Sequence, residues 1–240
     1  MQIEIFDSEL KLAKRAADLF EETIRRNPAA VLGLATGASP VNTYKELIER
    51  HRAGAISFAD ITTFNLDEYC DLPRDDKNSY YSFMQQNLFG EVDIRPENVH
   101  IENGNAADFD AEAAAYDKAI AAAGGIDLQL LGIGTNGHIG FNEPADAFTD
   151  GTFRIKLTES TIKANSRYFT DSEMPRYALT MGIASIMHAK KILLIATGKA
   201  KAEAIYNTVK GPITPRCPAS VLRLHQDAIL LLDRDAASLL

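Results

Sequence analysis

The chain has 240 residues, 46% hydrophobic and 24% charged, enough for one large core and a length that α/β folds commonly reach as a single domain. A formal net charge of −8 argues against a nucleic-acid surface while leaving room for a local basic pocket that takes an anionic metabolite. Cys70 and Cys217 make neither a disulfide framework nor a zinc cluster, the N-terminus carries no signal-peptide pattern, and no apolar run is long enough to span a bilayer. The expectation is a reduced, soluble, cytoplasmic protein with no metal and no membrane partner.

The predicted elements alternate along the chain. Leu12, Ala13, Ala16, Leu19, Phe20 and Ile24 recur at helical spacing, with Pro28 after the stop. Ala30–Ala35 reads as a short buried strand, Val41–Arg50 as a helix and Ile61–Leu66 as a strand. Tyr80–Phe89 and Ala106–Ala123 read as helices, and Ile126–Ile133 as a strand. Phe153–Leu157 alternates apolar and basic residues, as a half-exposed strand does. Met181–His188 is helical in pattern, Lys191–Ala196 a buried strand and Lys199–Val209 a helix. Ala219–Leu224 and Ala228–Leu232 give two more strand-like runs. This rhythm predicts an α/β, Rossmann-like open, mostly parallel sheet with helices on both faces, over one domain spanning 1–240.

In such sheets ligands gather beyond the carboxyl ends of the strands. Four segments follow predicted strands and qualify for that rim: Thr36–Ser39, Asp67, Gly134–Glu143 and Gly198–Lys201. In Thr36-Gly37-Ala38-Ser39-Pro40, Pro40 suits the first helical position and Ser39 the N-cap. Such a helix start offers N–H groups to a phosphate, although an ordinary capped helix also explains it. The GK[ST] ending of a Walker loop is missing. Lys199 and Lys201 stand in a first helical turn, where cations are mildly unfavourable unless an anion binds. Arg167 can add a bidentate phosphate contact or be a plain surface charge.

Asp67 and Glu68 close a strand, and extended neighbours face opposite sides. One carboxylate can then enter the rim as a general base while the other makes a structural contact. A solvated strand end explains the pair equally well. Cys70 has no basic neighbour in sequence and reads as a small buried residue.

Gly132, Gly134 and Gly137 spell GxGxxG. A dinucleotide site needs a helix directly after the third glycine, and Gly140, Asn142 and Pro144 make a poor one. The better reading is a glycine-shaped loop that presents His138, with Asn136 and Glu143 placed to orient it.

Together these segments resemble the glucosamine-6-phosphate deaminases of the sugar-phosphate isomerase/deaminase family. The resemblance rests on Leu32–Pro40, Phe64–Tyr69, Ser79–Met84, Gly134–Pro144 and Ala164–Arg167, and spans nearly the whole chain. It implies conversion of glucosamine 6-phosphate and water to fructose 6-phosphate and ammonia, with no metal or redox cofactor. It implies that His138 opens the sugar ring and that Asp67 moves the proton from C2 to C1. Glu143 and Asn136 would orient and polarise His138. Thr36, Gly37, Ala38, Ser39, Arg167 and Lys201 would hold the phosphate. The segment 160–180 is similar to the family's mobile lid.

Two departures stand out. Other members carry Asp at position 136; the amide of Asn136 can hydrogen-bond an imidazole but brings no charge to its cation, so Glu143 would supply that. The chain also stops at Leu240, soon after its last strand, where longer members continue. Asp146–Lys156 matches the effector-binding residues of the allosteric members only in part. The expectation is a monomer or small homo-oligomer without strong activation by N-acetylglucosamine 6-phosphate.

Two rivals remain. A 6-phosphogluconolactonase-type hydrolase needs a water-activating group but no C2 base. A non-catalytic sugar-phosphate-sensing domain keeps the phosphate loop and has no use for Asp67 and His138.

Overall fold

The computed structural model describes residues 1–166, 169–170 and 173–240. In chain order its strands are β1 (Gln2–Phe6), β2 (Val31–Leu34), β3 (Thr62–Asn65), β4 (Asp67–Tyr69), β5 (Val99–His100), β6 (Leu128–Leu131), β7 (Phe153–Lys156), β8 (Tyr177–Thr180), β9 (Ile192–Ala196) and β10 (Ala228–Asp233). The helices are α1 (Glu9–Arg26), α2 (Val41–Arg52), α3 (Tyr80–Asn87), α4 (Phe109–Ala122), α5 (Glu159–Asn165), α6 (Ile183–Met187) and α7 (Ala202–Lys210).

Seven strands form one sheet in the order β1-β10-β9-β6-β2-β3-β5, and every pair in it is parallel. The central strands β2, β6 and β9 are buried along their whole length. Continuous apolar strands are what a parallel sheet covered on both faces requires. Helices α1, α2 and α7 pack buried apolar residues into its core. In α1 these include Leu12, Ala16, Leu19, Phe20 and Ile24, with Ser8 capping the start and Arg25 and Arg26 at the negative end. The α/β, mostly parallel architecture read from the sequence is the one found.

A second, antiparallel sheet has the order β4-β8-β7. The chain enters it from the first sheet within one residue. The Leu66 N–H still donates to Leu34 O in the parallel sheet, at 2.9 Å, while the Leu66 carbonyl accepts from Met181 N, also at 2.9 Å. Asp67 is the next residue and pairs with Thr180.

Several expectations need correction. Ala219–Leu224 is not a strand but part of a 3-10 turn over Pro218–Leu224, its start favoured by the proline. Ser220 Oγ is turned to Thr214, accepting from its N–H and donating to its carbonyl. The run Lys199–Val209 opens as a 3-10 turn over Lys199–Lys201 before α7 begins. No helix follows Gly137; the next element in the chain is β7, which confirms that the GxGxxG run is not a dinucleotide fingerprint. Strands β1, β5 and β8 and helix α5 are not among the predicted elements: β5 has two residues and α5 seven, too few for a period to show, whereas Gln2–Ile5 does alternate as a strand would. Among the described residues, no helix is long and apolar enough to cross a membrane.

Candidate active site

The four rim segments follow β2, β3, β6 and β9, which are consecutive in the sheet as β9-β6-β2-β3. They meet around a cavity of about 330 Å³. Thr36, Gly37, Ala38 and Ser39 line one side of it. Asp67, Asn136, His138 and Lys201 line the rest, and Glu143 stands behind His138. A larger cavity of about 580 Å³ adjoins it and shares the loop at Gly37–Ser39, Tyr80, Asn165 and Lys201, but contains neither Asp67 nor His138. The smaller cavity is therefore the one that gathers the candidate catalytic groups.

The loop after β2 differs from its prediction. Helix α2 begins at Val41, and Pro40 takes the N-cap position with no side-chain cap. Ser39 thus leaves its hydroxyl toward the cavity instead of capping the helix. Gly37 has φ +91°, a conformation that a side chain would strain. Gly132, after β6, passes close by: a Cβ there would lie 3.9 Å from Ser39 Oγ.

Asp67 and Glu68 divide their work as alternation along a strand predicts. Glu68 accepts the N–H groups of Tyr69, Tyr80 and Tyr81 at 2.8–2.9 Å and thereby caps the start of α3 with a carboxylate. Asp67 points to the cavity and is only 6% exposed. Burial pushes its carboxyl up to about 8, with the neighbouring Glu68 charge adding to the effect. The Cys70 thiol behind them is buried, and that burial pushes it up to about 11, so it is inert as expected.

The loop after β6 is shaped by its glycines. The Gly134 N–H donates to the His138 carbonyl at 2.9 Å, and the Gly137 N–H donates to the Gly134 carbonyl at 3.0 Å. This turn lays the imidazole over Gly134: a Cβ there would stand 2.2 to 2.5 Å from three ring atoms of His138. Gly137, at φ +86°, packs against Cys217. The histidine is held in place by the absence of side chains beneath it.

His138 Nδ1 faces Glu143 Oε2 at 3.5 Å. Asn136 Nδ2 donates to that same oxygen at 2.7 Å, and Asn136 Oδ1 accepts the backbone N–H of His138 at 3.2 Å. Asn136 therefore orients Glu143 and the turn; it does not polarise the ring directly. The other carboxylate oxygen, Oε1, accepts from Thr161 Oγ1 and from Thr158 Oγ1, the latter at 3.3 Å. Burial raises the Glu143 proton affinity, but His138, Thr161 and Asn136 outweigh it and hold the carboxyl down at about 2. Glu143 is thus a fixed anion behind the imidazole. That favours a proton on Nδ1 and leaves Nε2 for the cavity.

Lys201 ends the 3-10 turn after β9, beyond Gly198 at φ +86°. It lines both cavities, and burial lowers its proton affinity. Among the described residues it has no carboxylate partner, so an anion in the cavity would meet an uncommitted cation. Lys199 is exposed and lines neither cavity. Arg167 lies outside the described residues.

Sequence reasoning missed the threonine pair and an aromatic wall. Tyr69 and Tyr80 stand with ring centroids 4.7 Å apart, and Tyr80 stacks on Phe141 at 6.3 Å. Tyr69 Oη accepts from Tyr80 Oη at 3.1 Å and from Asn165 Nδ2 at 3.2 Å. Nothing in the local sequence of Thr158 and Thr161 points to a carboxylate fifteen residues upstream of Thr158.

Known proteins share much of this sequence and its fold. A profile of the family described as glucosamine-6-phosphate isomerases/6-phosphogluconolactonase matches residues 7–231. The chain is 51% identical over 231 residues to a glucosamine-6-phosphate deaminase of Thermoanaerobacter sp. (strain X514), covering 96% of this chain and 91% of that one. It is 49% identical to the enzyme of the same name from Alkaliphilus oremlandii (strain OhILAs), over the full length of both. A solved structure of a monomeric glucosamine-6-phosphate deaminase superposes with a TM-score of 0.97 at 47% identity, over the whole of both chains. The 6-phosphogluconolactonase of Trypanosoma brucei shares the fold at a TM-score of 0.78 but only 20% identity, covering 99% of this chain and 97% of that one. The chain belongs to the glucosamine-6-phosphate isomerase/6-phosphogluconolactonase family and, within it, groups with the glucosamine-6-phosphate deaminases.

Proposed function

We propose that the chain is an enzyme that converts glucosamine 6-phosphate and water to fructose 6-phosphate and ammonia. Relatives of half identity over nearly the whole length bear that activity in their names. The observation that carries the reading is the shared cavity: a buried carboxylate, an imidazole backed by a fixed anion, and an uncommitted lysine beside a glycine-shaped loop.

The 6-phosphate sits against Thr36, Gly37, Ala38, Ser39 and Lys201, with Arg167 as a further contact. His138 Nε2 moves the proton that frees the ring oxygen, and Glu143 stabilises the imidazolium as it forms. Asp67 removes the C2 proton from the open chain, giving an enolamine, and returns a proton at C1. The resulting imine adds water and releases ammonia. Proton transfers open the ring and shift the C2 hydrogen to C1, water adds to the imine and ammonia leaves, with no net oxidation or reduction, so no redox cofactor is called for. The release of ammonia by water places the enzyme among the hydrolases by class and among the isomerases by its C2-to-C1 shift.

Asp67 favours this reading over a lactonase. Opening a lactone requires no carbon acid to be deprotonated, and burial that lifts Asp67 toward neutrality gives a base of the strength such a step uses. Likeness to a monomeric deaminase supports a monomer. Two free, buried cysteines and a phosphorylated substrate support a cytoplasmic location. The segment 160–180, which begins within α5 and includes residues 167–168 and 171–172 outside the described ones, is proposed as a lid over the sugar. The decisive assay is ammonia release from glucosamine 6-phosphate, and its absence from the purified chain rules the activity out.

A further inference from the structure

Glu143 is gripped by two different elements. Its Oε2 belongs to the catalytic loop, through Asn136 and His138. Its Oε1 belongs to α5, through Thr161 and Thr158. Thr158 is the N-cap of that helix, and its hydroxyl also accepts the Thr161 N–H at 3.3 Å. Thr161 is 5% exposed, so its hydroxyl competes little with water for the carboxylate.

The other end of α5 reaches the anion-binding side of the site. Asn165 lines both cavities together with Ser39 and Lys201, and is bonded to Tyr69 Oη. Four residues of helix separate Thr161 from Asn165, a rise of about 6 Å. One short rigid strut therefore touches the phosphate pocket at one end and the Glu143 carboxylate at the other.

A carboxylate held on both oxygens has a single orientation. Without the Thr161 hydroxyl, Oε1 keeps, among the described residues, only the longer Thr158 contact, and the angle at which Oε2 meets the imidazole is less firmly set. We propose that Thr161 is a positioning residue for ring opening: its hydroxyl fixes Glu143 against His138. The inference rests on the phosphosugar reading above.

The test compares Thr161→Val, Thr161→Ala and Thr161→Ser for ammonia release from glucosamine 6-phosphate. Alongside, the Glu143 carboxylate is titrated by carbon NMR in the ligand-free protein. Both variants without the hydroxyl should lower kcat about ten- to a hundredfold, the range of a lost hydrogen bond to a charged group, with KM within about twofold. Both should raise the Glu143 midpoint, and Ser should restore kcat to within about threefold. The alanine variant makes no demand on shape and serves if the valine chain does not fold. A folded Val or Ala variant with wild-type kcat, or an unmoved Glu143 midpoint, overturns the role of Thr161 alone. A wild-type chain that releases no ammonia overturns the reaction, and this role with it.

Discussion

The amide of Asn136 donates to the Glu143 carboxylate at 2.7 Å, so this residue serves the anion behind His138 rather than the ring. Replacing it by aspartate would set a second carboxylate against the first. Two carboxylates at that distance cannot both stay ionised with ease. Asn136→Asp should therefore lower kcat at pH 7 about tenfold and raise the Glu143 midpoint, and Asn136→Ala should lower kcat by a similar factor. Steady-state rates decide it: an Asp variant as fast as wild type would mean that this bond does not matter for turnover.

Asp67 predicts the pH profile. A base must be ionised to act, and burial sets this one at about 8 in the free protein. The kcat/KM value should rise about tenfold per pH unit below that value and level off above it. A plateau already reached at pH 6 would show that another group sets the acid limb.

The same carboxyl predicts a stability effect with a definite sign. Its proton affinity is higher in the folded chain than in the unfolded one, from an ordinary value of 3.8 to about 8. The folded state thus holds a proton that the unfolded state has lost, and stability falls as pH rises from 4 to 8. Asp67→Asn removes that loss. It should cut kcat about 10²- to 10⁴-fold while raising the melting temperature by roughly 5–10 °C at pH 8 and by little at pH 4. Calorimetry at the two pH values checks the sign; a variant less stable than wild type at pH 8 contradicts it.

Gly134→Ala tests the support under the histidine. The new Cβ would fall within 2.5 Å of the ring, and a side chain can yield where backbone cannot. The fold should survive with His138 displaced. A fall in kcat of about a hundredfold is expected, with little change in the inhibition constant of a phosphate-bearing competitor. Equal losses in both would place the damage in the whole loop.

Lys201→Ala should raise KM for the phosphosugar about ten- to a hundredfold, because it removes a charge-assisted contact to a phosphate. Lys199→Ala, two residues earlier and exposed, should change KM less than about twofold. Equal effects from the two would point to general field attraction rather than a contact.

The sequence made the frame of the site readable because its signals are local. The buried runs of β2, β9 and β10 can only be inner strands, and each loop that follows a strand of a parallel sheet arrives at one rim. The alternation of Asp67 and Glu68 placed one carboxylate in the cavity and the other on structure, and only three N–H groups from α3 and its neighbour show which is which. Ala219–Leu224 misled because a short apolar run has no period of its own. Ser39 was misjudged as a cap because Pro40 takes that position itself. The ties from Thr158 and Thr161 to Glu143 join residues 15 and 18 apart through packing, and no local pattern announces them.

The passage from one sheet to the other at Leu66 has a wider consequence. Asp67 faces the cavity because β4 is locked in register with β8, Asp67 against Thr180 and Glu68 against Leu179. A slip of one residue would turn Glu68 inward and Asp67 outward, since side chains alternate along a strand. The chain holds two adjacent carboxylates of similar intrinsic acidity, and pairing alone chooses between them. The alignment of two short strands decides which carboxylate enters the cavity, so a single residue inserted between Leu66 and Asp67 would take the place opposite Thr180 and turn Asp67 out of the site.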